Sequence, residues 1–202
     1  MKILYIHGYG SHENNSTSRL IRADRPDDEV IAPAIPFGDP ELSVRTIEKL
    51  IEEHEPDVLM GSSLGAFYLL QFDWGIPRIL INPALPDNLK KIDDREDFIS
   101  TLEKQFKNIK DTAHEFTIIY CGEDDDVAPN YDYFSNRYKK KKNISVHKVP
   151  HMNHSLSEGA MIGPVDDNLC MFKQYSVTVL KGTIHVKTAF FVTSITLFLK
   201  IS

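Results

Sequence analysis

A chain of 202 residues with 42% hydrophobic and 26% charged residues has the composition of one globular domain, large enough to bury a core without disulfides or metals. Its net charge of −6 argues against nucleic acid as the main partner, and two distant cysteines do not indicate a disulfide framework. The N-terminal run at residues 2–6 has one charge and ends before a histidine and a glycine. We interpret it as a strand and not a signal peptide, and therefore expect a cytoplasmic protein.

The first half of the chain alternates short apolar runs with helical patterns. Residues 2–6 predict a buried strand that breaks into a glycine-rich loop at residues 7–11. Residues 29–36 predict an extended segment whose two prolines suit a sheet edge. At residues 39–41, Asp-Pro-Glu supplies an N-cap and a favourable first turn, and apolar residues then repeat at helical spacing. This pattern predicts a helix from Pro40 to His54.

The central feature is the run at residues 58–66. A short apolar segment meets the pentapeptide Gly-Ser-Ser-Leu-Gly, and a second apolar segment follows at once. This pattern is typical of a nucleophile elbow, in which a strand, a sharp turn and a helix present a serine at the strained tip. The two glycines let the strand and helix approach closely. Ser63 is therefore the candidate nucleophile, and the backbone N–H of Leu64 is expected to form one half of an oxyanion hole.

The second half of the chain continues the alternation. Residues 76–84 predict a strand that leaves into a proline loop, and residues 116–121 predict a buried strand that precedes an acidic loop. A helix is expected over residues 130–138 and a strand over residues 144–149. Residues 85–115 form either a small cap over the site or a crossover helix. Their apolar residues share one helical face: Phe98, Ile99, Leu102 and Phe106.

Strands that alternate with helices indicate an α/β protein, a three-layer sandwich around a mainly parallel sheet with right-handed crossovers. The ligand site of such a sheet lies at the carboxyl ends of the strands, where the motifs above are found. We expect the α/β domain to cover residues 1–160. Residues 161–202 are expected to form an atypical β-prone C-terminal tail, which is not an independent domain.

The tail differs from the rest of the chain in composition. Residues 168–202 contain no aspartate or glutamate, and two glycines and a proline at residues 159–164 interrupt any helix that continues into it. Residues 175–186 alternate like a hairpin, and the uncharged run at residues 188–199 is too short for a membrane span. We therefore expect no membrane span, and a tail that either covers apolar surface or promotes self-association.

A serine nucleophile needs a base within hydrogen-bond reach and a third group that orients the base. In the α/β-hydrolase arrangement these residues follow in the order serine, acid, histidine. The chain supplies Ser63, three aspartates at residues 124–126, and then His151 and His154. The second oxyanion donor is expected in the loop after the first strand, from the backbone N–H of Tyr9.

Two further residues are candidates for contact with the substrate. Gly8 precedes the predicted oxyanion donor in the first loop. Asn82 leaves the strand that follows the elbow helix, where it would line the acyl pocket, although a structural turn explains it equally well.

Several motifs in order resemble the YqiA-like group of small bacterial serine esterases in the α/β-hydrolase superfamily, over roughly residues 1–158. They are the His-Gly-Tyr-Gly-Ser opening, the elbow, the Ile-Asn-Pro-Ala strand exit at residues 81–84 and the acid and histidine loops. Within the resemblance, Asp125 fits the Gly-x-x-Asp loop that ends in proline. His154 is preferred to His151 because it precedes a small and then an apolar residue.

The resemblance implies hydrolysis of short acyl esters or thioesters through an acyl-enzyme on Ser63, without a metal or organic cofactor. Two departures stand out: His151 and Met152 occupy positions where glycines are usual, and the tail lacks the usual amphipathic terminal helix. Metal-dependent hydrolysis by His151, His154 and the aspartates is a rival interpretation, but it leaves the elbow unexplained. A second rival is an inactive scaffold that acts as a binding protein.

Overall fold

The structure, a computed structural model, describes residues 1–71, 75–107, 109, 116–156, 163, 165–170 and 172. Strands and helices alternate along the chain. In order, the elements are β1 (Lys2–Ile6), α1 (Ser16–Asp24), β2 (Glu29–Ile31), α2 (Pro40–His54), β3 (Val58–Ser62), α3 (Leu64–Leu69), β4 (Arg78–Ile81), α4 (Pro86–Leu89), α5 (Glu96–Lys107), β5 (Thr117–Gly122), α6 (Tyr131–Tyr138) and β6 (Ile144–Val149).

The described strands form one six-stranded sheet in the order β2-β1-β3-β4-β5-β6, and each neighbouring pair is parallel. Every residue of β3, β4 and β5 is buried, which explains why these strands are mostly apolar in the sequence. The predicted parallel α/β sheet is confirmed. β2, with its two following prolines, lies at an edge as expected.

Helix α2 begins and ends where the sequence predicts. The Asp39 side chain accepts hydrogen bonds from the N–H groups of Glu41 and Leu42, and Pro40 occupies the first turn. At the other end, Glu55 adopts a left-handed conformation with φ 45°, which stops the helix. Local sequence signals therefore determine both ends of this helix.

Two apolar clusters lie on opposite faces of the sheet. Alternate residues of β1 enter different clusters: Leu4 contributes to one and Tyr5 to the other. The first cluster includes the buried faces of α2, α3, α5 and α6, whereas the second includes Ile21 of α1. This arrangement is the predicted three-layer sandwich, and it leaves the carboxyl ends of the strands open for the functional loops.

Part of the predicted tail packs with the body of the protein. Residues 166–170 are α-helical, and Val165, Leu169 and Phe172 are buried in the second cluster. The sequence suggested a tail without the usual amphipathic terminal helix, whereas this short segment is helical and its apolar side chains recur at helical spacing. The interruption predicted at residues 159–164 stays a prediction. Arg25, which also bonds Asp28, forms an ion pair with Asp166.

The boundary at residue 160 stays a prediction, as does the β-prone character of the remaining tail. The predicted hairpin at residues 175–186 and the apolar run at residues 188–199 lie outside the described residues. Within the described residues, every helix is too short or too polar to span a bilayer.

Candidate active site

The elbow between β3 and α3 has the strained geometry that its sequence predicts. Ser63 has φ 53° and ψ −122°, a conformation that costs a non-glycine residue about 1–3 kcal/mol. A Cβ on Gly61 would lie 2.9 Å from the backbone nitrogen of Ala66, and one on Gly65 would lie 2.3 Å from the carbonyl oxygen of Ile6. Both positions therefore require glycine, which lets the elbow helix pack directly against β3 and β1.

Three side chains from three loops meet at this elbow. The Oγ of Ser63 lies 2.9 Å from Nε2 of His154. The Nδ1 of the same imidazole lies 3.0 Å from each carboxylate oxygen of Asp125. The structure thus brings together the three residues that the sequence assigned to a triad.

The environment of Asp125 determines which imidazole nitrogen carries the proton. Burial of this carboxylate raises its pKa. Hydrogen bonds from His154 and from the N–H groups of Ala128 and Val127 lower the pKa by more, so that the net pKa lies below its ordinary value. An ionised carboxylate can only accept hydrogen bonds. Nδ1 of His154 therefore donates to Asp125, and Nε2 is left to accept the proton of Ser63.

The other candidates in these loops point elsewhere. The side chain of His151 is 92% exposed and lies 3.8 Å from Asp124, and Asp126 is exposed. The preference for His154 over His151 therefore agrees with the geometry. Among the described residues, no group of three or more histidines, cysteines and acids is placed to hold a metal ion.

The histidine loop packs directly on the end of β5. A Cβ on Gly122 would lie 2.1 Å from the carbonyl oxygen of Met152, and the N–H of Asp124 donates to that oxygen over 3.0 Å. The Met152 side chain is fully buried in the second cluster. The Met152 side chain therefore anchors the histidine loop in the core.

Asn82 plays a different part from the predicted substrate contact. Its side chain is fully buried, and its amide donates to the carbonyl oxygens of Asn153 over 2.8 Å and His154 over 3.0 Å. Its Oδ1 accepts from the N–H of Gly122 over 2.6 Å. These bonds occupy the amide in joining β4 to the acid and histidine loops, which favours the structural role that the sequence left open beside substrate contact. Only the turn-forming Asn-Pro pair signalled this role.

The first loop lies against the nucleophile. A Cβ on Gly8 would lie 2.8 Å from Cβ of Ser63, so only glycine lets the backbone pass there. The buried His7 ring lies 2.9 Å through Nδ1 from the carbonyl oxygen of Gly8, and burial lowers the pKa of His7. The N–H of Ser11 donates to the same oxygen over 3.2 Å. These bonds orient the Gly8–Tyr9 peptide, whose N–H is the predicted oxyanion donor.

Comparison with solved structures identifies the fold. Est1E from Butyrivibrio proteoclasticus is 12% identical, with a TM-score of 0.68 over 86% of this chain and 88% of that chain. The esterase domain of a Rhodothermus marinus protein is 14% identical, with a TM-score of 0.63 over 84% of this chain and 85% of that chain. The monoacylglycerol lipase of Paleococcus ferrophilus is 15% identical, with a TM-score of 0.59 over 86% of this chain and 93% of that chain.

At these identities the likeness shows the fold alone. No curated protein sequence matches the chain. Residues 2–123, more than half of the chain, match the uncharacterised protein family UPF0227. The matched region contains β1, the first loop and the elbow. The chain therefore belongs to UPF0227, the YqiA-like family, and has the α/β-hydrolase fold.

Proposed function

We propose that this protein is a serine hydrolase that cleaves short acyl esters or thioesters through an acyl-enzyme on Ser63. His154 is the general base and then the general acid, and Asp125 holds the imidazole in its working tautomer. The backbone N–H groups of Tyr9 and Leu64 form the oxyanion hole.

One observation carries the proposal. The hydrogen-bonded chain from Ser63 through His154 to Asp125 has both links at about 3 Å, within reach for proton transfer. The nucleophile also stands at a strained elbow beside the first loop. Structures named as esterases or lipases share the fold, which adds support for an ester as the substrate class.

In the acylation step, Oγ of Ser63 attacks the acyl carbon while its proton moves to Nε2 of His154. The carbonyl oxygen becomes an oxyanion, which the two backbone N–H groups stabilise. The carbon–oxygen or carbon–sulfur bond of the substrate then breaks, and the leaving group takes the proton from His154. The product is an alcohol or thiol together with an ester of Ser63.

In the deacylation step, His154 takes a proton from water, and the resulting hydroxide attacks the acyl carbon. A second oxyanion forms in the same place, and the bond to Oγ of Ser63 breaks as His154 returns the proton. The carboxylic acid leaves and the enzyme is restored. This sequence uses the protein's own groups, so the proposal includes no metal or organic cofactor.

A substrate panel tests the proposal. We expect turnover of p-nitrophenyl esters or acyl-CoA thioesters of graded chain length, and a loss of most activity in Ser63→Ala. Ser62→Ala is the matched control, because the neighbouring Oγ lies 2.8 Å from the Tyr5 hydroxyl and takes no part in the triad. Absence of turnover across the panel would instead favour the inactive scaffold.

Three further statements belong to the proposal. A cytoplasmic location stays a prediction. Nucleic acid is not expected as a partner, in keeping with the net charge of −6. Self-association through residues 161–202 stays a prediction.

A further inference from the structure

The Asp93 carboxylate links the first loop to the segment that connects β4 with β5. The hydroxyl of Tyr9 donates to Oδ2 of Asp93 over 2.5 Å. Arg95 binds both oxygens of the same carboxylate, with Nε 3.1 Å from Oδ1 and Nη2 2.8 Å from Oδ2. The Asp93 side chain is only 7% exposed. We call these three residues the Tyr9 anchor.

The anchor also makes apolar and backbone contacts. The Tyr9 ring lies 5.5 Å from the ring of Phe98 in α5, and the guanidinium of Arg95 stacks 4.6 Å from the same ring. Nη1 of Arg95 donates to the carbonyl oxygen of Gly38, in the loop before α2, over 3.1 Å. The anchor therefore joins the first loop to two other segments of the protein.

The first loop needs such a restraint. Tyr9 stands between two glycines, and Gly10 has φ 69° with open space where a Cβ would be. Glycine adopts many backbone conformations, so the backbone of a residue between two glycines rotates easily unless another contact holds it. The Tyr9 side chain is the part of residues 8–10 that can hold it, because glycines carry no side chain.

We propose that Asp93 and Arg95 are positioning residues for the oxyanion hole, acting through the Tyr9 side chain to fix the direction of the Tyr9 N–H. This inference rests on the proposed function and deepens it. Charge-assisted hydrogen bonds to a carboxylate are short and strong, and the two donors reach the carboxylate from different segments. The main-chain bonds to the Gly8 carbonyl oxygen hold one end of the peptide, and the Tyr9 anchor holds the residue that follows.

The test compares Tyr9→Phe and Asp93→Ala with the wild-type protein on a hydrolysed p-nitrophenyl ester. Tyr9→Phe keeps the ring and the backbone N–H and removes only the hydroxyl. Outright loss of an oxyanion donor costs roughly 100- to 1000-fold in kcat, so a misdirected donor is expected to cost about tenfold, with KM changed by less than about twofold. The double variant should lose no more than either single variant, because both break the same anchor.

A second readout separates positioning from stability. The inhibition constant of a trifluoromethyl ketone, which forms a tetrahedral adduct with a serine nucleophile, should rise by the factor by which kcat/KM falls. Lys90→Gln is the matched control: Lys90 pairs with Asp87 and Glu103 in the same β4–β5 connection without touching Tyr9, and this variant should retain both values.

Other outcomes overturn the inference. If kcat stays unchanged in both variants, or if only KM or only thermal stability changes, the anchor does not direct the oxyanion donor. Those results leave the proposed function standing, since the wild-type protein still turns over the ester. If the wild-type protein neither hydrolyses an ester nor binds the ketone, the proposed function fails and the inference fails with it.

Discussion

Replacement of Asn82 by alanine tests how the triad loops are held. The substitution removes three hydrogen bonds, two to the carbonyl oxygens of Asn153 and His154 and one from the N–H of Gly122. At about 1 kcal/mol each, with further cost for partners left buried, the loss comes to about 3–5 kcal/mol. Alanine must also adopt φ 46° at this position, which asparagine tolerates better. The expected loss is large against a typical total stability of about 5–15 kcal/mol.

Urea unfolding and steady-state kinetics together provide the measurement. Asn82→Ala should lose stability by that amount and should lower kcat by about tenfold or more, because His154 loses the bond that holds its backbone. Asn153→Ala is the matched control, since it removes an exposed asparagine side chain from the same loop and leaves the carbonyl oxygen in place. The reasoning is refuted if Asn82→Ala loses less than about 1 kcal/mol and keeps its turnover.

Three other predictions concern the acid, the first loop and the tail. Asp125→Asn should lower kcat by a factor on the order of 10⁴ because the imidazole takes the wrong tautomer, whereas Asp126→Asn should change it little, and equal losses would contradict the assignment. Burial holds the pKa of His7 in the folded state below 6.5. As the pH falls from about 6.5 towards that lower pKa, the unfolded state binds more protons at this imidazole than the folded state does, so the free energy of unfolding falls. Urea unfolding at several pH values should show that the free energy of unfolding falls by up to about 1.4 kcal/mol per pH unit, and that this fall is smaller in His7→Gln. If the variant shows the same dependence on pH as the wild-type protein, His7 is not its cause. Truncation after Asn168 removes the buried side chains of Leu169 and Phe172, worth about 3–6 kcal/mol together, and should destabilise the fold. Truncation after Gln174 keeps both side chains and should leave the protein active. If the two truncated proteins are equally stable, the domain ends at residue 160 as the sequence predicts.

The sequence predicted those parts of the fold that depend on local signals. Helix α2 has a cap, a first-turn proline and a regular apolar period, and its bounds agree with the prediction. The elbow and the order of the triad residues were likewise readable, because the turn requires glycines at fixed spacing and each loop follows a strand.

The parts that escaped prediction depend on contacts between distant segments. The bonds of Asn82 reach residues 71 and 72 positions along the chain, and no periodic pattern records such a partner. The Tyr9 anchor joins residues 84 positions apart for the same reason. In the tail, Val165 and Leu169 are buried in a cluster with residues far away along the chain, and local signals do not record such partners.

The central claim is that Ser63 is the nucleophile, and covalent labelling tests it most directly. The protein is treated with a fluorophosphonate, which phosphonylates an activated serine, and the modified peptide is identified by mass spectrometry. We expect one adduct, on Ser63, and none in the Ser63→Ala protein, because only this hydroxyl lies 2.9 Å from the imidazole of His154 among the described serines. An adduct on Ser62 or Ser11, or no adduct on the folded wild-type protein, would contradict the account.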